Sequence, residues 1–211
     1  MSLSAQPEPF PTFNTRELRA GAPLVRVHDP RFEGDEPNPC KGGLTRFAPV
    51  FHPGGACLPT LYAAATFECA VFESVFHDVP HAAAEKFVPL GKVTSRAVSW
   101  LEIGADLTVA SLNEPDLNRL GLTRADMIDT FASAYPETAR WAEAFHRANR
   151  AVAGLAWTSR RCDPGTAYVF FGDRLPPCAF KVTDSVEVAV SADHLDQIRR
   201  LGRRAGITLT I

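Results

Sequence analysis

Two hundred and eleven residues make one large domain or two small ones, with enough chain to bury a substantial core. A composition of 45% apolar, 22% charged and 9% aromatic residues excludes disorder and collagen-like repeats. Twenty-two basic against 24 acidic residues leave a net charge of −2, so the chain has no general electrostatic reason to coat nucleic acid or anionic lipid, and any bound polyanion must be gripped by a local cluster of arginines.

In chain order, residues 1–23 hold four prolines (Pro7, Pro9, Pro11 and Pro23) and are predicted to form an arm lying on the surface or on a partner. Within that arm only residues 16–20 suit a helical turn. The opening Met1-Ser2-Leu3-Ser4-Ala5-Gln6-Pro7 has neither the basic nor the apolar region of a secretory leader. Residues 24–28 form the first strand, ended by Asp29-Pro30. A loop rich in Pro, Gly and acid spans residues 33–43, and residues 44–50 suit a short extended segment before the turn at Pro53-Gly54-Gly55. Residues 58–63 read as a strand. Thr66 then N-caps a helix expected to run to about His77 and to be closed by Pro80. The apolar-rich stretch 61–76 is interrupted by Glu68 and Glu73 and is too short to cross a bilayer.

Residues 87–111 suit strands, and residues 113–150 suit helix in two or three pieces, with Thr123 as a cap and Pro136 in a first turn. Strands return at 154–157, 167–171, 179–182 and 186–190. Ser191 caps a last helix with Leu195, Ile198 and Leu201 on one face, and residues 207–211 close the chain as a strand. Strands, then helices, then strands, without regular βαβ alternation, predict a single α+β domain over residues 24–211. Its core is expected to be a mainly antiparallel sheet with flanking helices.

The five cysteines (Cys40, Cys57, Cys69, Cys162 and Cys178) are odd in number and separated by 17, 12, 93 and 16 residues. That spacing suggests neither a disulfide framework nor a CxxC metal site, and points to a reducing cytoplasm. No GxGxxG follows a strand, and no GxxxxGK[ST], HExxH or GxSxG occurs. His77 and His81 are four apart but separated by Pro80, which favours solvent-facing histidines at a helix end over metal ligands. The run Arg199-Arg200-Leu201-Gly202-Arg203-Arg204 reads as a solvated face near a helix C-terminus, where cations favour the dipole.

Glu73 stands among Ala70-Val71-Phe72 and Ser74-Val75-Phe76, where an unpaired buried carboxylate would be costly. On a helix, Glu68 lies about 140° around from it, so the two cannot act as a carboxylate pair. Thr66, Cys69, Ala70, Phe76 and His77 lie within about 60° of it and are mostly small enough to leave a recess. The plain alternative is an exposed or salt-bridged helix glutamate. Arg26 (between Val25 and Val27) and Arg46 (in Thr45-Arg46-Phe47) each point either to solvent or into a cleft.

Taken together, Leu24-Val25-Arg26-Val27, Thr45-Arg46-Phe47-Ala48-Pro49 and the block from Leu61-Tyr62 to Phe72-Glu73 follow the order of a RES domain. Gly154-Leu155-Ala156-Trp157-Thr158-Ser159-Arg160 and the strand Tyr168-Val169-Phe170-Phe171 complete a resemblance that extends from about residue 24 to 190. That family is named for an arginine, a glutamate and a serine. The resemblance implies a fold similar to ADP-ribosyltransferases and a toxin of a bacterial toxin–antitoxin pair that consumes NAD+ as substrate, with no cofactor or metal. It implies Glu73, Arg26 and Ser159 as catalytic residues, and Arg26, Arg46, Tyr62 and Ser159 as NAD+ contacts. A partner carrying an Xre-type helix-turn-helix is expected to form a hetero-oligomer with the chain and to make any DNA contact, in the cytoplasm and away from membranes.

The chemistry of these residue types suits that expectation. Cleaving the bond from ribose to a cationic nicotinamide passes through an oxocarbenium-like ribose, which a single carboxylate can stabilise because the leaving group departs neutral. Arginine forks bind phosphate bidentately, and an aromatic face such as that of Tyr62 can stack on nicotinamide. Ser159 has no evident His–acid partner and is read as a hydrogen-bonding group that orients Glu73 or holds substrate. Water makes the enzyme a glycohydrolase and phosphate makes it a phosphorylase. A protein acceptor makes it an ADP-ribosyltransferase, and a non-catalytic scaffold beside an Xre-type repressor is the remaining alternative.

Overall fold

The central strands of a computed structural model, which describes residues 6–80 and 82–211, are near-continuous apolar runs such as 152–157 and 167–171 and are buried on both faces of one large sheet. The expectations at Met1–Ala5 and at His81 lie outside the described residues. The first half of the chain forms β1 (Thr15–Leu18), β2 (Pro23–His28), β3 (Val50–Phe51), β4 (Cys57–Leu58), β5 (Thr60–Ala64) and α1 (Phe67–Phe72). Next come β6 (Lys86–Pro89), α2 (Leu90–Thr94), β7 (Ala97–Ile103), β8 (Leu107–Ser111), α3 (Glu114–Arg119), α4 (Arg124–Met127) and α5 (Tyr135–Ala148). The last part forms β9 (Val152–Thr158), β10 (Thr166–Phe171), β11 (Phe180–Glu187), α6 (Ala192–Arg204) and β12 (Ile207–Thr210).

Eight strands form one sheet in the order β1-β8-β9-β10-β5-β2-β7-β11. Its pairings are antiparallel except β8 with β9. A parallel pair needs a long crossover, and the helical segment α3–α5 supplies it. The expected α+β architecture is therefore the one observed. Along β10, Ala167, Val169 and Phe171 join the larger apolar cluster with α1, α5 and α6 residues, while Tyr168 and Phe170 join a second cluster on the opposite face. That second cluster gathers side chains from β1, β2, β5, β7, β8, β9, β10 and β11, so one continuous apolar face runs across all eight strands.

Several local expectations are corrected. Residues 15–18 form the edge strand β1 on β8 rather than a helical turn, because pairing satisfies backbone groups that a lone turn would leave to water. Phe10 and Phe13 of the same segment pack against Phe145 of α5. Residues 44–50 are mostly a tight turn closed by a Thr45–Ala48 bridge, with only Val50–Phe51 extended. The helix capped by Thr66 stops at Phe72 instead of near His77, since Val75 and Phe76 turn inward to full burial in the core. Residues 87–111 are interrupted by α2, and residues 188–190 form a 3-10 turn after one continuous β11. Cys40 and Cys57 are joined in a disulfide, a pairing that the irregular spacing had argued against.

Candidate functional site

Thr66 accepts a hydrogen bond from the Cys69 amide at 3.2 Å and starts α1 as its N-cap. One short helix later Glu73 is the C-cap residue, its own amide donating to the Cys69 carbonyl at 2.9 Å. The carboxylate thus leaves the helix where the chain turns, next to the loop that follows β9. Ser159 opens that loop and is 0% exposed. Its hydroxyl donates to Glu73 Oε1 at 2.5 Å and accepts from the amides of Arg161 (3.0 Å) and Cys162 (2.9 Å). One donor and both acceptor positions are committed, so in this geometry the hydroxyl orients Glu73 and has no hydrogen left for a substrate. The loop closes through Ser159 N–H to the Gly165 carbonyl at 2.8 Å, and a Cβ at Gly165 would stand 2.6 Å from the Cys162 carbonyl oxygen. Only glycine permits that approach.

Glu73 faces a cavity of about 300 Å3 that it shares with Arg46, Tyr62, His77, Tyr135 and Trp157. Arg46 is 3% exposed, and one terminal nitrogen donates to the Ile128 carbonyl. Its Nε and second terminal nitrogen are buried without a hydrogen-bond partner among the described residues, and the guanidinium lies 5.6 Å from the Tyr135 ring centre. Burial pulls its pKa below the ordinary value, opposed by the negative charge of Glu73. Two unsatisfied cationic donors beside a carboxylate are a costly arrangement that an anionic or hydroxyl-bearing ligand would relieve.

The Tyr62 hydroxyl lies 2.9 Å from Thr45 Oγ1 and accepts from the Phe47 amide at 3.1 Å, so it staples both neighbours of Arg46. Burial pushes that phenol up to about 12, which keeps it protonated and able to donate to Thr45. Phe47 is fully buried, edge-on to Trp157 with ring centres 5.0 Å apart. Arg46 is therefore held by packing beneath it and by the tyrosine beside it.

His77 corrects its reading as a solvent-facing residue, because its side chain is only 18% exposed and lines the Glu73 cavity. Nδ1 donates to Asp78 at 2.9 Å, leaving Nε2 as acceptor toward the Tyr135 hydroxyl at 3.5 Å. Burial lowers the imidazole pKa, against the opposing pull of Asp78 and Glu73. Tyr135, which lines the same cavity, was also missed. Arg160 and Arg161, directly after Ser159, donate to the Thr130 and Val79 carbonyls, both at 2.7 Å, and so brace the loop rather than line the cavity. His77 and Tyr135 arrive from 58 residues apart in sequence, which no local pattern reveals.

Arg26 stands apart from this group. It is 5% exposed, and one terminal nitrogen donates to the carbonyls of Glu36 (2.6 Å), Gly34 (2.9 Å) and Glu33 (3.3 Å). Burial lowers its pKa to about 10, opposed by Glu36 and Asp35, so it remains cationic at neutral pH. It lines an adjoining cavity of about 430 Å3 rather than the one containing Glu73. The structure thus brings Glu73, Ser159, Arg46 and Tyr62 together and puts Arg26 next door, holding the acidic loop by its backbone.

A family profile described as RES domain matches residues 23–194. This chain belongs to the RES domain family. Arg26, Arg46, Tyr62, Glu73 and Ser159 all fall inside the matched span. A chain in the crystal structure of the M. tuberculosis MbcT–MbcA toxin–antitoxin complex is similar over 88% of this RES protein and 91% of its own length, at 15% identity and a TM-score of 0.61. That likeness establishes a shared fold. No curated protein matches the sequence. Among the described residues, no group of three or more His, Cys, Asp and Glu side chains is arranged to hold a metal ion. No helix among them is long and apolar enough to cross a membrane.

Proposed function

We propose that this RES domain is an NAD+-consuming toxin that breaks the nicotinamide–ribose bond, as a glycohydrolase or phosphorylase. The carrying observation is the Glu73 carboxylate, oriented by the buried Ser159 hydroxyl at 2.5 Å and sharing a recess with the half-satisfied Arg46 guanidinium. A fixed carboxylate can accept a hydrogen bond from a ribose hydroxyl and stabilise the positive charge that builds on the ring as nicotinamide leaves. Among the described residues the other acid lining that recess, Asp78, is engaged by His77 and by Lys92 at 3.3 Å, so Glu73 is the carboxylate left to play this part. Nicotinamide departs neutral and requires no general acid. Aromatic surfaces from Tyr62, Tyr135 and Trp157 offer it a stacking site.

The substrate places this activity in the cytoplasm, and an enzyme that drains NAD+ there requires restraint. The structural likeness to a toxin–antitoxin complex supports an antitoxin partner, here proposed to be an Xre-type helix-turn-helix protein that carries any DNA contact. In a reducing compartment the loop bearing Arg46 remains fastened by the Asn38–Thr60 bridge and the Tyr62 staple, neither of which needs oxidation.

Incubating the purified chain with NAD+, with and without inorganic phosphate, tests the reading. Free nicotinamide with ADP-ribose, or with its 1-phosphate when phosphate is present, is the expected product set. Labelled protein bands without free ADP-ribose would transfer the assignment to a protein ADP-ribosyltransferase. If induction in a bacterium leaves growth and NAD+ unchanged, and Glu73→Ala behaves as the parent, the chain is a scaffold and the enzymatic reading fails.

A further inference from the structure

The two cavities meet at three residues, Thr45, Tyr62 and Arg96. Thr45 and Tyr62 have spent their hydroxyls, on each other and on the Ala48 carbonyl and Phe47 amide. Arg96 has not. It lies between α2 and β7, anchored by its amide to the Val93 carbonyl at 3.2 Å and by its carbonyl to the Val188 amide at 2.9 Å. Among the described residues its guanidinium makes no hydrogen bond and no ion pair, although Asp29 lines the same cavity. That carboxylate is already gripped by Arg31 through three side-chain hydrogen bonds of 2.6–3.1 Å. Arg96 is the one charged group that faces both recesses.

We infer that Arg96 is the residue that binds the substrate's diphosphate. The inference rests on the NAD+ reading above and names a contact that the sequence had assigned to Arg26 and Arg46. Those two arginines are poorly placed to hold it, since one terminal nitrogen of Arg26 is spent on three carbonyls and Arg46 lies inside the Glu73 recess. A dinucleotide with its nicotinamide ribose at Glu73 needs a second space for its other nucleoside, and the adjoining cavity of about 430 Å3 is that space. The diphosphate joins the two halves, so it must cross the junction. A guanidinium fork there meets phosphate oxygens in the geometry both prefer, from a backbone pinned at both its amide and its carbonyl.

A calorimetric titration of the full chain carrying Glu73→Gln, with and without Arg96→Ala, tests this with NAD+ and nicotinamide riboside as probes. NAD+ binding is expected to weaken about 10- to 100-fold on losing Arg96, with riboside binding changed by less than about twofold. Arg96→Lys, which keeps the charge, recovers part of the affinity lost in Arg96→Ala, whereas Arg96→Met, which keeps only an apolar stem to pack, recovers none. Equal NAD+ affinity with and without Arg96 overturns the assignment while leaving the Glu73 site standing. An equal loss for the riboside also overturns it, by showing that Arg96 shapes the recess instead of meeting phosphate. Absence of NAD+ binding to the Glu73→Gln chain sinks the NAD+ reading and this inference with it.

Discussion

Removing the Ser159 hydroxyl deletes three hydrogen bonds at once: a 2.5 Å bond to the Glu73 carboxylate and two that satisfy the Arg161 and Cys162 amides. A bond to a charged group contributes about 1.5–3 kcal/mol and each backbone bond about 0.5–1.5 kcal/mol. Ser159→Ala should therefore cost about 2.5–6 kcal/mol, a large share of the 5–15 kcal/mol that a domain of this kind commonly holds. For a chain of this size that is a melting temperature lower by about 5–24 °C, readable by calorimetry or circular dichroism. The loss also frees Glu73 to swing out of position. If the orienting bond is worth its full 1.5–3 kcal/mol in the transition state, kcat for NAD+ cleavage falls about 10- to 100-fold. Measured well below the new melting point, this loss should appear in kcat more than in KM, because the hydroxyl does not touch substrate. A melting temperature that drops as expected while kcat stays within about twofold of the parent refutes the orienting role and leaves Ser159 as loop architecture.

Glu68 in α1 and Glu73 at its C-cap should separate cleanly. Glu73→Gln, which keeps the shape but removes the charge, is expected to lower kcat about 10²- to 10³-fold with little change in melting. Glu68→Ala, at a half-exposed pair with Arg204, should cost about 1 kcal/mol and leave NAD+ turnover unchanged; equal losses in both variants contradict the assignment. Tyr62→Phe removes the staple across Arg46 and should lower the melting temperature by about 2–6 °C while raising KM for NAD+, and an unchanged KM tells against it. Burial holds the pKa values of His28, His77 and His146 below their ordinary 6.5. The unfolded chain thus binds more protons below about pH 6.5. This part of the stability is complete above that pH and is lost as the pH falls from 6.5 toward the folded-state values. The urea midpoint should be lower at about pH 5.5 than at about pH 7.5, and the reverse order contradicts the buried, neutral histidines.

What could be read in the linear chain rested on local signals with strong physical content. Thr66 and Ser191 cap helices because their hydroxyls accept the amides three residues on, at Cys69 and His194. At Thr123 the Asp126 carboxylate does the capping instead, accepting from the Thr123 amide at 2.8 Å and from its hydroxyl at 2.7 Å. The unbroken apolar run at 167–171 marked a strand, which the fold buries on both faces, and the order of Arg26, Arg46, Tyr62, Glu73 and Ser159 carried the family. The disulfide between Cys40 and Cys57, the early end of α1 and the edge strand β1 escaped because each depends on a surface supplied by distant chain.

Chemistry divides along the same line. Residue type and spacing mark Glu73 as a carboxylate in apolar company, for which an exposed or salt-bridged helix glutamate is the plain reading, and it is the family resemblance that gives it a catalytic part with Ser159 to orient it. They do not reveal that the orienting hydroxyl, 86 residues away, is fully committed, that three carbonyls occupy Arg26, or that Arg96 is unpaired among the described residues where two cavities join. Those depend on which groups folding packs against one another, and hydrogen bonds and unpaired charges belong to pairs of residues, not to positions along a chain.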